Sequence, residues 1–207
     1  MSADLLQRWR ELAGEDADAL GEALIRAYSE PSRHYHGVGH VAWLLDEAAR
    51  KAAHIRDAEF VGYAIWFHDA VYDATRPDNE HVSAEWARTA LASKGALADR
   101  VAAVIEMTKN HAEGEADSDA ALFLDMDIAI LGASWEAYCR YAAGVRAEFG
   151  FVNDAAFAAG RGAFLAKQLA HPRLFRTDLY EQEFGDAARA NMRWEASEMA
   201  RGRMVQR

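Results

Sequence analysis

Apolar residues recur at the spacing of amphipathic helices along nearly the whole chain, and no segment shows the sustained alternation of a β-strand. Residues 5–12 and 20–28 carry the first two such apolar faces. Only three prolines interrupt the 207 residues, and alanine, the strongest helix former, is abundant. The pattern therefore predicts an all-α protein.

Turn-forming residues divide this pattern into segments. Glu30-Pro31-Ser32 ends one helix, because the residue before proline avoids the helical region, and Asp57 is a natural N-cap for a later one. The segment 69–79 has the composition of a loop. The predicted helices cover about residues 5–12, 20–28, 41–48, 57–67, 79–94, 96–110, 118–131, 134–149, 153–170 and 186–201.

The length suits one well-buried domain. We predict a single helical domain over residues 1–207, with a core at about 20–135 and C-terminal helices 136–201 packed on it.

The charge balance limits the partners that this chain can bind. With 33 acidic and 23 basic residues the net charge is -10, so bulk electrostatics disfavour nucleic acid and anionic membranes. Binding of a small phosphorylated molecule is compatible with this net charge, because a bound metal ion inverts the local potential. No apolar run approaches the ~20 residues that cross a bilayer, no signal-peptide pattern opens the sequence, and Cys139 has no second cysteine to pair with. These features predict a cytoplasmic protein.

One dipeptide has the chemistry of a metal site. His68-Asp69 closes the apolar run 60–67, and two adjacent metal-binding side chains are an unusual end for such a helix. Residues 68 and 69 are about 100° apart on a helix, so both reach one ion only where the helix ends, as it does here. His40 lies near the start of the preceding helix, and a short antiparallel connection would bring it beside His68. Divalent metals bind imidazole nitrogen together with carboxylate oxygen.

The alternative is that these histidines are ordinary core or surface residues. That interpretation suits His54, His81 and His171, and an isolated His-Asp pair would usually arise by chance. The combination of His40, His68-Asp69 and a later aspartate in the helical segment 118–131 favours a metal centre instead.

The motifs carry a resemblance to a known family. The order of His40, His68-Asp69 and Asp127 along the chain resembles the HD superfamily of metal-dependent phosphohydrolases. More narrowly, the chain resembles the small bacterial family of predicted metal-dependent HD phosphohydrolases. The resemblance spans roughly residues 5 to 195. The matching segments are Pro31-Ser-Arg-His-Tyr-His36-Gly-Val-Gly-His40, Phe67-His-Asp-Ala-Val-Tyr-Asp73, Asp78-Asn-Glu80-His-Val-Ser83-Ala84, Thr108-Lys-Asn-His111, Asp125-Met-Asp127-Ile-Ala-Ile-Leu-Gly132, Arg146 and Gly160-Arg161.

This resemblance implies an all-helical HD-domain bundle and a ligand set for one divalent ion. The ion would be Mn, Fe, Ni, Zn, Co or Mg, which the sequence does not distinguish. Asp127 is preferred to Asp125 as the last ligand, because the superfamily's last ligand is similarly followed by a short apolar run. The implied ligands are His40, His68, Asp69 and Asp127. His111 resembles the extra histidine that some HD proteins use for a second ion, and His36 is a further candidate.

Such a site suits hydrolysis by a metal-activated water. Asp69 is the candidate to take a proton from that water, and Asp73 and Glu80 are candidates for general acid/base work or for orienting the ligand histidines. Glu80 has an equal structural interpretation, since a carboxylate at a helix N-terminus is stabilised by the macrodipole.

Phosphate recognition requires cations, and four are candidates. Arg33 is the strongest, because it shares the loop that leads to His40. Lys109 could instead be a solvated residue in the last turn of a helix. Arg146 and Arg161 could instead form structural ion pairs with a neighbouring helix.

The sequence thus predicts a metal-dependent phosphohydrolase that acts on a small phosphorylated molecule, with a nucleotide among the options. The aromatic residues Trp43, Trp66, Phe67 and Tyr72 could stack a base, but core packing is the commoner role at helical spacing. A non-catalytic metal- or ligand-binding helical module and an HD-type di-iron oxygenase are the alternatives, and a homo-oligomer is open. The motifs of P-loop NTPases, dinucleotide-binding enzymes and zinc proteases of the His-Glu-x-x-His type do not occur.

Overall fold

The computed structural model describes residues 2–203, and within this range it contains α-helices, short 3₁₀ turns and no strands. The all-α prediction is confirmed. No helix in these residues is long and apolar enough to cross a membrane. The helices are α1 (Ser2–Ala13), α2 (Asp18–Tyr28), α3 (Val38–Arg50), α4 (Ala58–Phe67), α5 (Asn79–Ala90), α6 (Ala96–Met107), α7 (Ser118–Ile128), α8 (Trp135–Glu148), α9 (Asp154–Ala170) and α10 (Asp178–Ala200).

Most predicted boundaries agree with these helices, and the main difference lies at α10. The predicted start near residue 186 is wrong, because α10 begins at Asp178. Thr177 caps the helix there, since its side chain accepts a hydrogen bond from Tyr180 N. The predicted helix 118–131 ends at Ile128 and continues as the 3₁₀ turn Ala129–Gly132.

The chain divides into two compact units, the first ending at Leu124 and the second beginning at Asp125. The division falls inside α7, about ten residues before residue 135, at which the predicted core ends.

In the first unit, α4 is the buried centre. Its residues Phe60 to Phe67 are buried apart from Gly62, and Trp9 of α1 packs edge-on against Trp66 at a ring separation of 5.3 Å. The predicted N-cap is confirmed, because the Asp57 side chain accepts the Phe60 N–H at 3.0 Å. With one end capped and nearly every face packed, α4 fixes the position of the two residues that follow it, His68 and Asp69.

The second unit is built around α10. Gly132 permits the close approach of this helix, since a Cβ at that position would lie 2.5 Å from the Phe184 carbonyl oxygen. Asn191 donates to the carbonyls of Leu131 at 2.9 Å and Ala133 at 3.1 Å. The side chains of Tyr138, Leu165, Tyr180 and Met192 complete this core.

Candidate metal centre

Three of the four predicted ligands meet where α4 ends beside the first turn of α3. His40 Nε2 lies 3.1 Å from His68 Nε2, and His68 Nε2 lies 3.2 Å from Asp69 Oδ2. One ligand atom from each of the three residues lies within 4.8 Å of the others. Both histidines are buried, whereas the Asp69 side chain is 16% exposed. The cluster is therefore accessible from the Asp69 side.

A hydrogen bond to the main chain orients the His68 ring. His68 Nδ1 lies 2.9 Å from the carbonyl oxygen of Ile65, one turn back in α4. A carbonyl oxygen only accepts, so Nδ1 carries the hydrogen and donates it. In the neutral ring, Nε2 then has a lone pair directed at His40 and Asp69. This is the tautomer that a metal-ligating histidine requires, and metal-bound histidines characteristically make such a second hydrogen bond.

The spacing of the ligand atoms fits a divalent ion. Ligand atoms held at ~2.1 Å from one ion and at roughly a right angle lie about 3 Å from each other. Two of the three separations, 3.1 and 3.2 Å, are close to this value, and the third lies within 4.8 Å. Two imidazoles and a carboxylate are also a donor set that transition metals accept.

The peptide groups beside Asp69 are held from two sides. The Tyr28 hydroxyl accepts the Asp69 N–H at 3.1 Å. Arg33 donates through Nη1 to the Asp69 carbonyl at 2.5 Å and through Nη2 to the Ala70 carbonyl at 3.0 Å. The main chain therefore fixes the direction in which the Asp69 side chain leaves the helix end.

Residues of α5 hold the rest of this turn. Ser83 Oγ accepts the Val71 N–H at 3.0 Å and donates to the Val71 carbonyl at 3.2 Å. The Asn79 side chain makes the equivalent pair with the main chain of Asp73, at 3.1 and 2.9 Å. Tyr28, Asn79 and Ser83 thus support the site, and sequence reasoning gave them no role because their partners are main-chain atoms.

Arg33 is buried beside the ligand turn. Its side chain is 1% exposed, it pairs with Glu30 at 3.1 Å, and its guanidinium lies over the Tyr28 ring at 5.1 Å. With three further N–H groups on the carbonyl oxygens of His36, Asp69 and Ala70, Arg33 positions the ligand turn, and its contact with phosphate stays a prediction.

Three further residues predicted for catalysis or phosphate binding lie in the first unit. The side chains of Lys109 and Asp73 have hydrogen-bond partners, and that of Glu80 has none among the described residues. Lys109 donates to the Pro77 carbonyl at 2.7 Å. Asp73 accepts from the Thr75 hydroxyl at 2.7 Å and amide at 2.9 Å, and these bonds lower the pKa of its carboxyl. The role of Asp73 in general acid/base work or in orienting the ligand histidines stays a prediction. Glu80 is half-buried in the first turn of α5, and its carboxylate makes no hydrogen bond or ion pair with any other residue in 2–203.

The two predicted second-ion histidines occupy different surroundings. His36 stacks on Tyr72 with ring centroids 4.3 Å apart, and its ring centroid lies 6.2 Å from that of His40. His111 follows the 3₁₀ turn Thr108–Asn110 and is half-buried. A second ion at either residue stays a prediction.

Asp125, the second choice for the last ligand, is part of a structural contact in the second unit. Its carboxylate is buried and accepts from Arg176 N at 2.6 Å, Thr177 N at 2.7 Å and Thr177 Oγ1 at 2.6 Å. Burial raises the pKa of the Asp125 carboxyl, and the three hydrogen bonds offset part of the rise. Asp125 thus positions the start of α10. Asp127 is half-buried, and its role as the fourth ligand stays a prediction.

Arg146 and Arg161 form the ion pairs that the sequence left open as alternatives. Arg146 binds Asp154 at 2.7 Å and the carbonyls of Phe149 and Val152 at 2.9 and 3.2 Å. Arg161 binds Glu195 at 2.9 Å inside the second unit. A phosphate contact by either arginine stays a prediction.

Comparison of the chain with protein-family models, curated proteins and solved structures gives no match. The HD resemblance therefore stays a prediction, and the case for a function depends on the geometry of the cluster.

Replacing Arg33 should loosen the ligand turn. We expect Arg33→Met to weaken Zn²⁺ binding by about tenfold or more, because the Asp69 and Ala70 carbonyls lose their donors and Asp69 loses its fixed direction. Arg33→Lys should not restore the affinity, since an ammonium lacks the planar fork that reaches both carbonyls. Binding is measured by competition with a chromophoric chelator. The exposed Arg26→Met is the matched control, and unchanged affinity in a folded Arg33→Met protein would contradict this role.

Substitutions of the two aspartates of α7 should have different effects, on stability for Asp125 and on metal binding for Asp127. Asp125→Asn should lower the free energy of unfolding by about 1–3 kcal/mol, because an amide leaves some of the three donors without an acceptor, while metal stoichiometry is retained. Asp127→Asn should weaken metal retention more than Asp125→Asn does. Denaturant titration and elemental analysis of both variants measure these quantities. Equal metal retention in the two proteins would remove Asp127 as the preferred ligand.

Proposed function

We propose that the protein is a metal-dependent phosphohydrolase acting on a small phosphorylated molecule. The observation that carries the proposal is the cluster of His40, His68 and Asp69, in which the Ile65 carbonyl fixes the His68 tautomer with Nε2 toward the other ligands. The order of motifs along the chain supports the same function through its resemblance to HD phosphohydrolases.

Each residue of the cluster has a task in this reaction. When bound, a divalent ion supplies an activated water and neutralises charge that develops on a phosphoryl oxygen. His40 and His68 contribute neutral nitrogen ligands from a buried position. Asp69 contributes a carboxylate at the exposed side, where it can also accept a proton from water. Glu80 has an unpartnered carboxyl and is the candidate to move a proton at the leaving group.

The donor set narrows the choice of metal. Two imidazoles suit Mn²⁺, Fe²⁺, Co²⁺, Ni²⁺ or Zn²⁺, whereas Mg²⁺ prefers oxygen ligands and retains several waters. We therefore expect a transition metal in the active protein.

One observation favours a second candidate, a non-catalytic metal-binding helical module. Arg33 and Lys109, the predicted phosphate-binding cations of the first unit, both donate to main-chain carbonyls. A hydrolase must then recruit the substrate phosphate mainly through the metal, whereas a binding module requires no phosphate-binding cation.

Substitution of a ligand should remove metal and activity together. His68→Ala should lose the bound ion and any phosphate release, with helical circular dichroism largely retained. His54→Ala, which changes an exposed histidine outside the cluster, should keep both. Metal content is measured by elemental analysis, and hydrolysis by phosphate or nitrophenol release from aryl phosphates, nucleotides and cyclic diesters after reconstitution with each transition metal.

The outcomes separate the two candidates. Hydrolysis that requires the metal and disappears in His68→Ala supports the phosphohydrolase. Stoichiometric metal binding without hydrolysis of any of these substrates supports the binding module. Phosphate release by a metal-free His68→Ala protein would overturn the proposal.

A further inference from the structure

The second unit contains a cavity of about 470 Å³ between α8, the following loop and α9. This volume lies within the range of small-molecule binding pockets. Its wall is mostly apolar, and among the described residues that line it Arg161 alone has a polar side chain. The lining residues that matter here are Val145, Phe149, Val152, Phe157, Phe164 and Arg161.

A buried network fixes the Arg161 guanidinium at this wall. Nε and Nη2 donate to the Glu195 carboxylate at 2.9 and 3.0 Å, and Nη1 donates to the Tyr141 hydroxyl at 3.0 Å. Tyr138 donates its hydroxyl to the same carboxylate. The Arg161 side chain is 6% exposed and lies between the Tyr141 and Phe164 rings, at 5.0 and 4.9 Å from their centroids. Its position is therefore set before any ligand arrives.

The network leaves two donors unused. A guanidinium has five N–H groups, and three of those of Arg161 are bonded. One N–H on each Nη has no acceptor within residues 2–203. The nearby carbonyls of Phe149 and Val152 already accept from Arg146. Buried donors are normally satisfied, so the cavity lacks an acceptor that a ligand can supply.

The charges beside the cavity select the kind of acceptor. Glu195 pairs with Arg161, and Asp154 pairs with Arg146, whose guanidinium lies over the Phe157 ring at 4.9 Å. An anion entering this apolar space would therefore be a buried charge that finds both neighbouring cations already neutralised. A neutral oxygen acceptor has no such penalty. The phenyl rings of Phe149, Phe157 and Phe164 favour an aromatic body through stacked and edge-on contacts.

We propose that this cavity binds a small neutral molecule with an aromatic or apolar body and a carbonyl oxygen that accepts from the Nη groups of Arg161. The proposal concerns a site within the second unit and is independent of the proposed phosphohydrolase activity.

Three probes on the wild-type protein test the chemistry. Acetophenone has the ring and carbonyl, ethylbenzene has the same carbon skeleton without oxygen, and benzoate adds a negative charge. A purely apolar pocket would bind ethylbenzene more tightly, because the carbonyl of acetophenone loses its hydrogen bonds to water. We expect the reverse order, with acetophenone at least about threefold tighter than ethylbenzene and tighter than benzoate by a similar factor or more. Amide chemical-shift titration gives the dissociation constants.

Two glycines of α9 provide matched variants. Gly160 lines the cavity and Gly162 is absent from its lining, and a Cβ at either position would meet no atom within 4 Å. Gly160→Leu should fill the space and weaken acetophenone binding at least about tenfold, while Gly162→Leu should leave it unchanged. Both substitutions favour the helix, so folding should be preserved.

Three results would each overturn the proposal: ethylbenzene binding as tightly as acetophenone, acetophenone binding that Gly160→Leu does not weaken, or no binding of acetophenone to the wild type up to its solubility. In the last case, a wild-type dimer that Gly160→Leu dissociates would identify a second copy of the chain as the occupant.

Discussion

The hydrogen bond from His68 Nδ1 to the Ile65 carbonyl is the interaction on which the candidate metal centre depends. It decides that Nε2 faces His40 and Asp69, and without it the ring could present a hydrogen where a metal ligand needs a lone pair. The bond forms within α4, which is capped by Asp57 at one end and packed against Trp9 at Trp66. The apolar core and the polar site are thus coupled, because the buried helix α4 supplies the carbonyl oxygen that fixes the tautomer of His68.

The sequence predicted what depends on local periodicity and missed what depends on long-range main-chain contacts. Helical spacing located the helices of both units, and the N-cap at Asp57 and the loop after Asp69 followed from local chemistry. The start of α10 was not predicted: Thr177 caps the helix, and Asp125, 52 residues away in sequence, accepts from Thr177 and holds it in place. Arg33 had the residue type of a phosphate ligand, but its partners are the carbonyls of Asp69 and Ala70, and a carbonyl oxygen has no signature in sequence.

The two units contain buried polar clusters with opposite requirements. His40, His68 and Asp69 combine two imidazole rings with a carboxylate, a set of side chains that suits a cation. Arg161 and Glu195 compensate each other, and what their cluster lacks is a neutral acceptor. Charge balance within each cluster therefore indicates the kind of ligand more directly than the net charge of the chain, which describes only the average field.

X-ray absorption spectroscopy of the Zn²⁺-loaded protein tests whether His40, His68 and Asp69 bind a metal ion. We expect a first shell of nitrogen and oxygen at about 2.0–2.1 Å with the outer-shell scattering of two imidazoles, falling to one in His40→Ala. The spectrum of His54→Ala should match that of the wild type. A first shell of oxygen alone, or an imidazole signal that His40→Ala and His68→Ala both leave unchanged, would contradict the assignment of this cluster as the metal centre.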